Sequence, residues 1–267
     1  MILFDGHTHI YDCYDLENFF TAAFKNFSNA VAKLKNGGTI TCFMLLSEAG
    51  GVHYFKKLQE LARSENKGTT SWRVEESDEP FSLFLYHDDF PSMRLIVAAG
   101  RQLITKEKLE LLALLTEQEF EDGLTLESAV QAVSEAGGIP VCPWGTGKWM
   151  GTRGEVLSSY MTNMTKQDEL FFLGDSGGRP SFWPRPSLFK ADLVKTKLLS
   201  GSDPLPLSGE EIKVGSFGTY INCECPKERP VTFLKELLRK PDVELKGYGR
   251  LCCPLMFFKN QVALRLH

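Results

Sequence analysis

The chain has 267 residues, 43% of them apolar, which is enough for a full core in one large α/β unit or two smaller domains. Its net charge is −4 and its pI about 5.8, so the composition offers no basic field for a nucleic-acid backbone, and nucleic acid is not expected among its partners. No apolar run approaches the ~20 residues of a membrane helix and no basic segment precedes the apolar start, so a cytoplasmic protein without membrane contact is expected. The seven cysteines include no C-x-x-C pair, and reduced thiols are the default expectation.

In chain order, Met1 to Phe4 reads as a short buried strand, followed by a turn at Asp5-Gly6. Leu16 to Leu34 carries Phe19, Phe20, Ala23, Phe27 and Ala30 at helical spacing, with Gly37-Gly38 as its C-terminal stop. Thr39 to Leu46 is an unalternating apolar run, as in a strand covered on both faces, and His53 to Arg63 reads as a helix. Trp72 to Glu75, Phe81 to Tyr86 and Arg94 to Ala99 read as strands. They form either ordinary barrel strands lacking long helices or a small hairpin excursion at 69–99. Lys106 to Leu115 reads as an amphipathic element, Thr125 to Glu135 as a helix, and Ile139 to Cys142 as a strand. Phe171 to Leu173 and Lys197 to Leu199 are further short strands, and Val231 to Arg239 is a helix ended by Pro241. Repeated strand–helix units without a linker predict one α/β domain over 1–267, a single parallel α/β barrel or sheet whose chemistry sits where strands end.

The polar residues at those ends are therefore the candidates. His7 and His9 follow the first strand, and alternate residues of a strand share a face, so both imidazoles can point into one site. Such a pair suits zinc, manganese or iron. Asp203, in Gly201-Ser202-Asp203-Pro204, can supply a carboxylate ligand or a catalytic base, although an Asp-Pro turn accounts for it equally well on local chemistry. Glycine-rich loops carry Arg101 and Gln102, Lys148 and Arg153, and Asp175 and Arg179; these predict a site for a phosphate or carboxylate on a small anionic substrate. Trp144, Trp149 and Trp183 could stack on a sugar or base, but in Gly/Pro-rich loops they are read first as lids over a core.

Phe4-Asp5-Gly6-His7-Thr8-His9 resembles the opening strand of metal-dependent hydrolases of the amidohydrolase and PHP (polymerase and histidinol phosphatase) groups. Gly201-Ser202-Asp203 resembles a late PHP segment, while Ala99-Gly100-Arg101-Gln102 and Ala136-Gly137-Gly138-Ile139-Pro140-Val141 resemble segments between them. The resemblance spans about residues 1–205 and implies a TIM-like or PHP-like (β/α) barrel and a metal-dependent hydrolase acting through a metal-activated water. The family's ligand pattern is incomplete here: Leu46-Ser47-Glu48 stands where Asp-His is usual, Gln102 replaces a carboxylate, Pro143-Trp144 replaces His-Pro, and no histidine follows Asp203. His53, His87 and His267 do not fill those positions. One divalent ion on His7, His9 and Asp203, with Glu48 or Asp175 as a further carboxylate and Glu48 as a catalytic candidate, is expected rather than a trinuclear cluster. The alternative is a catalytically degenerate, metal-free module that binds anions through Arg101, Lys148, Arg153 and Arg179.

Overall fold

The computed structural model describes residues 1–34, 40–69, 71–164, 170–189 and 197–266. The Gly37-Gly38 stop and His267 lie outside the described residues.

Among the described residues, twelve strands form two mixed sheets. The larger contains β1 (Ile2–Thr8), β2 (Thr41–Leu46), β3 (Trp72–Glu76), β4 (Ser82–His87), β5 (Leu95–Ala98), β11 (Gly218–Ile221) and β12 (Lys246–Tyr248), in the order β12-β11-β1-β2-β5-β4-β3. The smaller contains β6 (Gly100–Ile104), β7 (Glu110–Leu114), β8 (Ile139–Pro143), β9 (Phe172–Ser176) and β10 (Lys197–Gly201), in the order β10-β9-β8-β7-β6. The helices are α1 (Leu16–Leu34), α2 (Tyr54–Arg63), α3 (Leu126–Glu135), α4 (Thr152–Asn163), α5 (Pro230–Arg239) and α6 (Pro254–Leu266).

The expected (β/α) barrel, TIM-like or PHP-like, is therefore corrected to an α/β fold of two sheets that do not close. A closed barrel of that kind requires parallel neighbours throughout. Here β1, β2 and β5 are parallel, as are β8, β9 and β10, but the β3–β4, β4–β5, β6–β7, β7–β8, β1–β11 and β11–β12 pairs are antiparallel. The predicted amphipathic element at Lys106 to Leu115 is one cause. It is the second arm of the β6–β7 hairpin, and Leu111, Leu112, Ala113 and Leu114 are all buried because both faces of β7 are covered.

Three apolar layers result. Leu3, Cys42, Met44, Leu95 and Val97 pack outward against α1 and α2, with Phe19, Phe20, Phe24 and Phe27 of α1 fully buried. Each such ring stabilises the fold by about 1.5–3 kcal/mol. Ile2, Phe4, Phe43, Leu45 and Ile96 face the opposite way and meet Leu112, Leu114, Ile139, Val141 and Phe172 of the smaller sheet. Leu111, Ala113, Cys142 and Leu173 pack on α3 and α4. Thr125 caps α3 by accepting a hydrogen bond from the Ser128 amide at 3.2 Å.

β1 runs on through Asp5-Gly6, correcting the expected turn. β11 pairs with β1 only from Ile2 to Phe4, and beyond that point the end of β10 takes its place. Two glycines permit the approach. A Cβ on Gly201 would lie 2.2 Å from the His7 amide nitrogen, and one on Gly6 would lie 2.9 Å from the Ser200 carbonyl oxygen. Asp5 joins the strands from below. Its buried carboxylate accepts from the Ser202 amide at 2.8 Å, the Ser202 hydroxyl at 2.5 Å and the Gly215 amide at 2.7 Å. Burial pushes this carboxyl up to about 6 despite those donors.

Candidate metal centre

The register of β1 on β2 shifts between Asp5 and Thr8, where three steps along β1 match two along β2. A bulge of this kind breaks the strict alternation of faces and re-aims the side chains after it. Both imidazoles, buried, converge: His7 Nε2 lies 2.9 Å from His9 Nε2. Asp203 Oδ1 lies 3.6 Å from His7 Nε2 and 3.9 Å from His9 Nε2. All three ligand-type atoms fall within 4.8 Å of one another. Ligands about 2.0–2.1 Å from one tetrahedral ion stand about 3.3 Å apart, so this donor set fits a single divalent cation.

The backbone holds Asp203 in place. Its amide donates to the His7 carbonyl oxygen at 2.9 Å, and its φ of 49° is left-handed, a conformation that aspartate and asparagine tolerate better than most residues. The Ser176 hydroxyl donates to Oδ2 at 2.9 Å, leaving Oδ1 to the histidines. Gln102 Oε1 sits 3.3 Å from His7 Nε2.

Charge follows from this packing. Burial alone would push the Asp203 carboxyl up, but His7, His9, the Ser176 hydroxyl and Lys148 together hold it below the usual carboxylate range. The His9 imidazole is driven down to about 3, first by burial and then by His7 and Lys148, against the pull of Asp203 and a hydrogen bond to the Ser47 backbone. A neutral ring beside an ionised carboxylate is the ligand form that a metal requires.

Above these residues is a cavity of about 370 Å³. Its walls include Gln102, Glu110, Lys148, Ser176 and Tyr11, and α6 covers it through Phe257, Asn260 and Gln261. Lys148 and Glu110 form an ion pair at its side. Sequence reasoning missed Glu110, Ser176, Tyr11 and α6. Only Glu110, a carboxylate inside an otherwise apolar strand, carries a local signal.

The other predicted site residues are placed elsewhere. Glu48 accepts from the Phe55 amide at 2.7 Å and from Arg101 at 3.0 Å, at the start of α2, and it does not join the histidine cluster. Burial raises its carboxyl against both donors. Arg101 and Gln102 are neighbours on β6, and only Gln102 reaches the cavity. Asp175 and Arg179 form a buried two-point pair at 2.7 and 2.8 Å. Arg153 donates to the Gly147 carbonyl oxygen at 2.8 Å. Of the predicted anion-binding residues, the structure thus brings only Gln102 and Lys148 to the cavity.

No protein-family model and no curated protein matches the sequence. Solved structures do match. PsfC from Pseudomonas syringae PB-5123 superposes with a TM-score of 0.51 at 14% identity, over 98% of each chain. The lesion-specific endonuclease PfuEndoQ from Pyrococcus furiosus gives 0.51 at 11% identity, over 92% of this chain and 58% of the endonuclease. Endonuclease Q in complex with a 27-mer duplex with an abasic lesion at the active site gives 0.46 at 12% identity, over 92% of this chain and 59% of that one. At such identities the likeness is one of fold alone. It also corrects one expectation. PfuEndoQ is an endonuclease on this fold, so a net charge of −4 does not exclude nucleic acid as a partner. Among the described residues, no helix is long and apolar enough to cross a membrane.

Proposed function

We propose that the protein is a metal-dependent hydrolase of phosphate- or carboxylate-bearing substrates, with one divalent ion held by His7, His9 and Asp203. The observation that carries this reading is the convergence of two buried imidazoles and one carboxylate oxygen on a common point within 4.8 Å, at the floor of a cavity. The fold likeness to PfuEndoQ, an endonuclease, supports this reading. A divalent ion bound there supplies Lewis acidity, polarising a phosphoryl or carbonyl oxygen and acidifying water.

The chain's own residues supply the rest. Gln102 presents a neutral amide oxygen 3.3 Å from His7 Nε2, the atom that faces the ion, so it adds a lone pair but no charge at the centre. Ser176 fixes one oxygen of Asp203 and thereby directs the other. Lys148 is the cation on the cavity wall, where its ammonium attracts the substrate anion, and Glu110 holds that ammonium in position. Of the four cations on which the metal-free anion-binding alternative rests, Lys148 lines this cavity and Arg101, Arg153 and Arg179 do not.

Elemental analysis of protein purified without a histidine tag and dialysed against zinc or manganese tests the reading. About one ion per chain is expected, falling to background in His7→Ala, together with metal-dependent turnover in a phosphoester and amide screen. Wild-type protein that retains no metal, with ligand binding unaltered in His7→Ala, would defeat it.

A further inference from the structure

Past Trp144 the cavity over the histidines adjoins a second, wider cleft of about 600 Å³, and Trp144 and Gly145 line both. Trp149 and Trp183 complete an indole wall in this cleft, with Glu155, Ser158 and Ser159 of α4 opposite. T-shaped contacts fix the ring planes: Trp144 meets Trp183 at 6.0 Å between centroids and 68°, and Trp149 meets Phe189 at 5.4 Å and 79°. Trp144 belongs to the core, whereas Trp149 and Trp183 are only half-buried and face outward along the cleft they line.

The two spaces differ in charge. Among the described residues lining the cleft there is no lysine or arginine, while the cavity beside it has Lys148, His9 and Asp203. Gly145 maintains that separation. A Cβ there would lie 2.6 Å from Lys148 Cδ, so the bare backbone lets the lysine stem fold back across the loop towards Glu110. Gly154 similarly leaves room for the Trp149 carbonyl oxygen, which a Cβ would approach to 2.5 Å. The glycine-rich loop thus builds two compartments, one polar and metal-directed, the other aromatic and lacking a cation among its described residues.

We infer that the tryptophan cleft is a subsite for a flat, neutral ring on the substrate, a nucleobase or a sugar, stacked on indole while the phosphate end lies over His7, His9 and Asp203. The volume falls within the usual range for small-molecule sites. The serine hydroxyls and Glu155 carboxylate are suited to ring amino or hydroxyl groups rather than to an anion. The phosphate half of this inference rests on the hydrolase reading above; the ring half rests on the cleft alone.

The test separates the two. Metal-free full-length protein is titrated with adenosine and with methyl glucoside, following tryptophan emission and ligand line-broadening by NMR. Saturable binding of at least one is expected, weakened about tenfold in Trp183→Ala and in Ser158→Leu, as loss of one stacking contact or filling of the cleft implies. Adenosine alone binding identifies a base site, and the glucoside alone a sugar site. In metal-loaded protein, kcat/KM for adenosine monophosphate or glucose phosphate should exceed that for ring-free glycerol phosphate about tenfold, with the ratio falling in Ser158→Leu. Failure of both rings to bind, or equal binding by wild type and both variants, overturns the subsite. Ring binding without turnover of any phosphoester overturns the hydrolase reading and leaves the subsite standing. Turnover without ring preference does the reverse.

Discussion

Two groups of charged residues sit at strand ends in this molecule, and they are wired in opposite ways. At Glu48–Arg101 and Asp175–Arg179 each cation is matched by a carboxylate within 3.0 Å, and the carboxylates are buried. At His7, His9 and Asp203 the acceptor atoms face one another, and the nearest cation, Lys148, is itself paired with Glu110. The first arrangement satisfies itself and fixes loops. The second concentrates lone pairs at one point, which is favourable once a cation is shared among them. Residue type at a strand end is thus a poor guide to binding, because the partner across the fold decides whether the group is spent.

The contrast can be broken most severely at Asp203. Asp203→Asn keeps the left-handed backbone but removes the ligand charge. It should cost more than the roughly 10–100-fold in metal affinity that loss of a ligand's supporting partner costs, with the melting temperature of the metal-free protein little changed. Unaltered affinity by calorimetry would remove Asp203 from the site. Arg179→Ala tests the self-satisfied side. It strands the buried Asp175 carboxylate and should destabilise by about 3 kcal/mol in urea, with metal stoichiometry unchanged in the folded fraction. A fall in stoichiometry would mean that the two groups are not independent.

The third prediction concerns pH. The His9 ring titrates near 6.5 in an unfolded chain and near 3 in the folded, metal-free protein, with burial as the main cause. Between those values the unfolded chain takes up a proton that the folded chain refuses. Stability due to a neutral His9 is therefore complete above about 6.5 and lost as pH falls towards 3, at about 1.4 kcal/mol per unit. From pH 6.5 to 5, metal-free wild type should lose about 2 kcal/mol more than His9→Gln. Asp5, raised to about 6, works in the opposite direction but is common to both proteins. Parallel stability curves would show that His9 is more exposed to solvent than its packing indicates. The smallest effect is expected at Gln102→Leu, which leaves His7 without its amide neighbour and should weaken metal binding about tenfold.

Much of the scaffold was legible in local pattern. The Leu16–Leu34 helix follows its phenylalanine spacing, and the strand and helix on either side of Gly137-Gly138 follow from apolar runs and capping. The failures have physical causes. Asp5-Gly6 has turn chemistry, but Ser202 and Gly215 satisfy the aspartate from about 200 residues away, and the missing Cβ of Gly6 serves strand packing instead. α4 carries glycine at position 154 and an N-terminal Gly151, which hid it inside an apparent loop. At the site, His7, His9 and Asp203 were legible because their residue types are chemically distinctive. The pairing of Glu48 with Arg101, 53 residues apart, has no local signature, so neither residue could be removed from the candidates by inspection.

The carboxylate of Asp5 has a consequence for how the protein comes into being. It ties residue 5 to residues 202 and 215, so the histidines acquire their geometry only after Gly215, 210 positions later, has been made. Closing so long a loop is slow, and a nascent or truncated chain ending before Gly215 would present two histidines with no carboxylate locked beside them. Acquisition of the ion would then wait on synthesis as far as Gly215, a checkpoint that shorter chains fail.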